Sequence, residues 1–149
     1  MIHVCQASVS DLEDIAALFD EYRMFYMQES DLEGAWSFLS ERMALAESVL
    51  FVARNQETNQ AVGFAQLYPS FSSVSMQRLF ILNDLFVLHK YRKQGAARLM
   101  LEAARTYAVD MKVKGLELST SKDNDTAQRL YEQFGYEKDL EFDHYFLRL

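Results

Sequence analysis

The sequence predicts one α/β domain built on a mixed, mostly antiparallel sheet with helices on its faces. Three observations predict it. Some stretches repeat apolar residues at helical spacing, while others alternate or run on without a break. The two kinds of stretch interleave along the chain. The 149 residues, 50% hydrophobic, suffice for one core, and no repeat, linker or low-complexity segment divides them.

The elements follow in order. IHVCQA is a short opening strand. Ser10 and Glu13 have capping-box spacing, and Leu12, Ile15, Ala16, Phe19, Tyr22 and Tyr26 then recur on one helical face. Ser30 and Glu33 repeat the box before a second stripe of Leu32, Trp36, Leu39 and Met43. SVLFVAR and AVGFAQLYP flank the polar NQETNQ, which predicts an antiparallel hairpin whose second strand stops at Pro69. RLFILNDLFV is a long apolar strand interrupted by Asn83 and Asp84. A polar pair in a buried strand is costly unless satisfied, so it marks either a bulge or strand end, or the opening of a site. Ala96, Met100, Ala103, Ala104, Tyr107 and Met111 form a third helical stripe, and GLELSTS the next strand. Asp123 is placed to cap a last helix bearing Ala127, Leu130, Tyr131 and Phe134, with Gly135 as its stop. YEKD and DHYFLRL predict a closing strand. The expected order is β-α-α-β-β-β-α-β-α-β, one domain over residues 1–149.

Composition excludes several classes. No segment is long and apolar enough to span a membrane, and the first residues lack a basic region followed by an apolar run. A cytoplasmic protein is expected. Cys5 is the only cysteine and the three histidines are scattered, so no metal site is expected. Net charge is −7, and residues 1–47 hold ten acids against Arg23 and Arg42. That acidic lobe argues against nucleic acid as a partner. It suits either solvated helix faces or a cationic ligand.

Against this acidity, HKYRKQGAARLM (89–100) carries Lys90, Arg92, Lys93 and Arg98 and no acid, around Gly95. It lies between a strand and a helix. The first turn of a helix has amides without internal partners and a partial positive charge, which together bind phosphate. Gly95 and the small Ala96 and Ala97 leave room for close approach. The stretch therefore predicts a pyrophosphate cradle. The Gly-Lys-Ser/Thr ending of a P-loop and the GxGxxG of a dinucleotide fold are both lacking.

Arg92-x-x-Gly95-x-Ala97 resembles the Arg/Gln-x-x-Gly-x-Gly/Ala signature of the GNAT superfamily of N-acetyltransferases. NDLFV (83–87) resembles the family's Glu-Asp-Leu-Phe/Tyr-Val strand, and NDTAQRLYEQFGY (124–136) its Asn-x-x-Ala-x-x-Leu-Tyr-x-x-x-Gly-Phe segment. The resemblance implies a GNAT fold and direct transfer of an acetyl group from acetyl-CoA to an amine. It implies that Arg92, Lys93, Gln94, Gly95, Ala96 and Ala97 hold the pyrophosphate through their amides, with Arg98 nearby. It implies pantetheine contacts from Leu85, Phe86, Val87, Asn124 and Ala127, and a Tyr131 that protonates the departing thiolate. Asn124 also reads as a helix cap, and Tyr131 as a core residue.

The acceptor is read from YRMFYMQESD (22–31), whose aromatic and acidic residues suit a cationic amine, small or peptidic. Tyr22, Tyr26, Glu29, Asp31 and Asp84 are the expected acceptor contacts. Some family members have a basic glutamate where this chain has Asn83, which is expected to orient a water instead. Alternation turns Asp84 to the opposite face from Asn83 unless a bulge intervenes. A catalytically weak acyl-CoA-binding module is the alternative function. The apolar end HYFLRL suggests an unpaired edge and a homodimer.

Overall fold

The structure, a computed structural model, describes residues 1–149. Its elements are β1 (Ile2–Gln6), α1 (Leu12–Phe25), α2 (Leu32–Ala44), β2 (Val49–Asn55), β3 (Ala61–Ser72), β4 (Gln77–Val87), α3 (Ala96–Asp110), β5 (Leu116–Glu117) and α4 (Asp125–Gln133). The five strands form one sheet in the order β1-β2-β3-β4-β5. Neighbours are antiparallel except β4 and β5, which are parallel and joined through α3. The expected mixed, mostly antiparallel architecture is therefore observed. The chain falls into two compact units, Met1–Ser119 and Thr120–Leu149.

In the first unit both faces of the sheet are covered, which is why β2 and β3 read as apolar runs. Leu12, Ile15 and Phe19 of α1, with Ala35 and Leu39 of α2, pack on Leu50, Val52, Phe64 and Phe86. Across the sheet, Tyr107 of α3 meets the rings of Phe51 and Phe80. Fully buried side chains such as Ile15 and Leu39 each contribute about 1.5–3 kcal/mol by leaving water. Arg54 of β2 donates to Asp11 and Asp14 at 2.8 and 2.9 Å, which ties the start of α1 to the sheet.

Several local expectations need correction. The first cap lies earlier: the Ser8 amide donates to the Asp11 carboxylate at 2.9 Å. Asp31, not Ser30, caps α2, accepting from the Gly34 amide. Leu32 and Trp36 are exposed, because α2 turns Ala35 and Leu39 inward. Pro69 does not end β3. Beyond Leu67 that strand has a ladder partner on one side only, where a missing N–H is tolerated.

In the second unit Asn124, not Asp123, caps α4, its side chain accepting from the Ala127 amide at 3.1 Å. Ala127, Leu130, Tyr131 and Phe134 form the half-buried side of α4. Gly135 stops the helix with φ 94°. The closing strand is absent. Past Tyr136 the local order is a turn in which Asp139 accepts from the amides of Glu141 and Phe142. The segment has strand-forming residues, but an extended chain without a ladder partner is not stable as a strand. No helix is long and apolar enough to cross a membrane.

Candidate active site

The site begins with a bulge in β4. Gln66 pairs with Asp84 and Leu67 with Leu82, so Asn83 is an extra residue without an opposite number. Residues an even number apart on a regular strand share a face. Here Phe80 meets Tyr107 of α3, while Phe86 meets Tyr22 of α1 and Phe64. The bulge reverses the phase and turns Asp84 toward α1. The polar pair is therefore a bulge, and a cavity opens beside it.

Asp84 is 3% exposed. Gln66 Nε2 donates to it at 2.6 Å and Asn83 Nδ2 at 3.0 Å. Burial raises its pKa above the ordinary carboxylate value, outweighing the side-chain donors Gln66, Tyr22 and Asn83 that favour the ionised form. Burial, and then the neighbouring charge of Asp84, pushes the Tyr22 phenol well above its usual value and Tyr68 up to about 12. Both phenols therefore keep their protons at neutral pH.

Beside Asp84 lies a cavity of about 300 Å³, walled by Phe19, Tyr22, Tyr26, Phe38 and Tyr68 and completed by Arg23, Gln28 and Asn83. Tyr22, Tyr26, Asn83 and Asp84 are thus brought together as expected. Glu29 and Asp31 are not among the lining residues. The Asp31 carboxylate is committed to its cap, and the Glu29 carbonyl accepts from Arg23 at 3.1 Å. Asp20, buried in α1, holds the intervening loop by accepting from Ser30 Oγ and the Asp31 amide, both at 2.7 Å. Sequence reasoning missed Gln66, Tyr68, Arg23 and Asp20. Gln66 did leave a signal, a lone polar residue in an apolar strand. Asp20 left none, since an acid on a helix looks like any solvated charge.

The second part of the site lies on the other edge of β4. β5 pairs with β4 only at Phe80 and Ile81, so the β4 backbone from Leu82 to Val87 has no ladder partner on that side. That is the stretch in which Leu85, Phe86 and Val87 were expected to contact pantetheine. The chain then turns into α3 with Lys93 at φ 62° and Gly95 at φ 87°. The left-handed conformation makes glycine a backbone requirement at 95 as well as an aid to close approach. Ala96 is buried beneath the turn instead of lining it. The amides from Lys93 to Ala97 have no acceptor within the protein. Free amides at a helix start favour an anion, so these residues fit a pyrophosphate. Lys93, Gln94 and Arg98 are exposed around it. Arg92 is engaged elsewhere, donating from Nε to the Val87 carbonyl at 3.1 Å.

In the second unit Asn124 Oδ1 is occupied by its cap, and Tyr131 stands on α4 with its ring 5.9 Å from that of Tyr136. No group of three His, Cys, Asp or Glu side chains is arranged for a metal.

Comparison with known proteins bears on the fold and the family. The model of the acetyltransferase (GNAT) family matches residues 15–136. An uncharacterized N-acetyltransferase of Bacillus subtilis strain 168, YhfO, is 49% identical over 148 residues, 99% of this chain and 98% of the relative. The crystal structure of a probable acetyltransferase superposes with a TM-score of 0.93 at 39% identity, covering 99% of this chain and 97% of the other. The aminoglycoside N-acetyltransferase AAC(6')-Iy in complex with CoA shares the fold, with a TM-score of 0.80 at 18% identity over 100% and 96% of the two chains.

Proposed function

This chain belongs to the GNAT family of acetyltransferases and is an N-acetyltransferase, and from that premise we propose that it moves an acetyl group from acetyl-CoA to a primary amine held against Asp84. One observation carries the reading. A single strand, β4, offers a free backbone edge on one side and, through its bulge, a buried carboxylate in an aromatic cavity on the other. The fold likeness to a CoA-bound aminoglycoside N-acetyltransferase supports the cofactor.

When bound, acetyl-CoA supplies the acetyl group as a thioester. The free amides of Lys93 to Ala97 hold the pyrophosphate, with Arg92 and Arg98 adding charge. The backbone of Leu85 to Val87 receives the pantetheine arm, and motif position assigns pantetheine contacts to Asn124 and Ala127 as well. Asp84 pairs with the acceptor's ammonium and takes its proton. Burial disfavours an ion pair relative to its neutral form, so a desolvated carboxylate with a raised pKa suits this task. Asn83 fixes one Asp84 oxygen and directs water at the cavity floor. Tyr131 holds the proton destined for the departing sulfur.

We propose further that both units act as one domain over residues 1–149 and that the enzyme works in the cytoplasm as a homodimer. Tyr145, Phe146 and Leu147 are more than four-fifths exposed, and a second copy would cover them. The deciding experiment incubates the protein with acetyl-CoA and a panel of amines and follows free thiol. Thiol release that depends on the amine supports the transferase. Acetyl-CoA binding without such release favours a binding module. Light scattering at tens of micromolar reads the assembly, and a monomer mass removes the dimer.

A further inference from the structure

We infer that the acceptor is a zwitterion of the amino-acid type, whose ammonium is read by Asp84 and whose carboxylate is read by Arg23. This rests on the reading of the β4 cavity as the acceptor site.

The cavity is lined by one acid, Asp84, and one base, Arg23. The base is held but not neutralised. Arg42 and Arg54 each form ion pairs with two carboxylates, whereas Arg23 forms none. Its one hydrogen bond, from Nη1 to the Glu29 carbonyl at 3.1 Å, fixes the side chain and leaves other guanidinium donors for a ligand. A guanidinium presents paired N–H groups matched to a carboxylate.

Charge excludes the other acceptor classes. A diamine or polyamine brings a second ammonium, which would need a second acid. Glu29 and Asp31 lie nearest in sequence, yet neither lines the cavity, and a free ammonium would meet Arg23 instead. A simple monoamine satisfies Asp84 and leaves Arg23 without an anion. A zwitterion satisfies both. The volume, about 300 Å³, is at the small end for ligand cavities and suits one amino acid. The tyrosine and phenylalanine walls accept its aliphatic or aromatic stem.

The test uses matched pairs, each an amino acid and its decarboxylated amine: lysine with cadaverine, ornithine with putrescine, phenylalanine with phenethylamine. The wild type should prefer the carboxylate-bearing member by about ten- to a hundredfold in kcat/KM, mainly through KM, the range of one charge-assisted contact. Arg23→Met should bring both members of a pair to the same level, and Arg23→Lys should restore part of the preference. Arg23→Glu should reverse it toward diamines. A melting curve and acetyl-CoA titration of each variant separate loss of the contact from loss of the fold. Diamines used as well as or better than amino acids by the wild type would overturn the inference and leave the transferase standing. So would a preference that survives Arg23→Met. Acetyl-CoA binding with no thiol release on any amine would overturn the transferase reading itself, and this inference with it.

Discussion

The Arg92 guanidinium bonds the carbonyl of Val87 at 3.1 Å and lies over the ring of Phe25, 5.6 Å from its centroid. It therefore occupies the backbone group that the pantetheine arm is proposed to use, and touches the last residue of the helix that walls the acceptor cavity. Acetyl-CoA must displace this contact to pair with Val87. Arg92→Ala removes an attraction for pyrophosphate and a competitor for the carbonyl together. Its affinity for acetyl-CoA in calorimetry should fall by less than about tenfold, below the effect of a lone charge-assisted bond. A loss of a hundredfold would mean that Arg92 is purely a phosphate ligand.

Gly95 should be far more sensitive. Gly95→Ala meets no steric block, since nothing lies within 4 Å of the added carbon, but it strains a left-handed residue by roughly 1–2 kcal/mol. Gly95→Glu adds a negative charge beside five free amides. Affinity should fall modestly for the first and by orders of magnitude for the second. Equal affinity of Gly95→Glu and wild type would remove the anion cradle.

Asp84 makes two linked predictions. As proton acceptor it must be ionised, so turnover should rise as pH passes above the ordinary carboxylate range, and Asp84→Asn should lose about a hundredfold or more in kcat. Stability should run the other way. Its folded pKa is raised, so between the unfolded value and the folded one the folded state binds the extra proton, and stability falls as pH rises through that window. Melting temperatures of wild type and Asp84→Asn across pH 4 to 8 should therefore drift in favour of the variant as pH increases. A constant difference would show that burial does not perturb this carboxyl.

Tyr131→Phe keeps the ring and its packing against Tyr136 but removes the proton. The expected result is a large loss of turnover with nearly unchanged acetyl-CoA affinity. Full activity would make Tyr131 a packing residue.

The order of elements through α4 was legible because amphipathic period and turn residues are local. The turn before α3 was legible for the same reason: Gly95, its basic neighbours and the start of α3 are consecutive. The acceptor side was only half legible. Tyr22, Tyr26 and Asp84 could be named, but not the turn that brings Asp84 to them, because a bulge is a mismatch between two strands and appears in neither alone. Gln66 and Asp84 lie 18 positions apart and meet only through β3–β4 pairing. Glu29 and Asp31 could not be placed from sequence, since nothing local distinguishes an acid that lines the cavity from one, like Asp31, that caps a helix. The closing strand was misread because propensity supplies no partner.

The pairing of β3 with β4 would close without Asn83. Delete it, and Leu67 still faces Leu82, Gln66 still faces Asp84, and Phe86 keeps its side of the sheet. Asn83 is the residue of β4 with no opposite number at the bulge, so the ladder does not require it, and the contact its side chain makes is the amide hydrogen bond to Asp84. A chain one residue shorter at this position would lose the bulge and the Asn83 amide together while keeping the ladder, so its melting temperature would report what the pairing supplies without either.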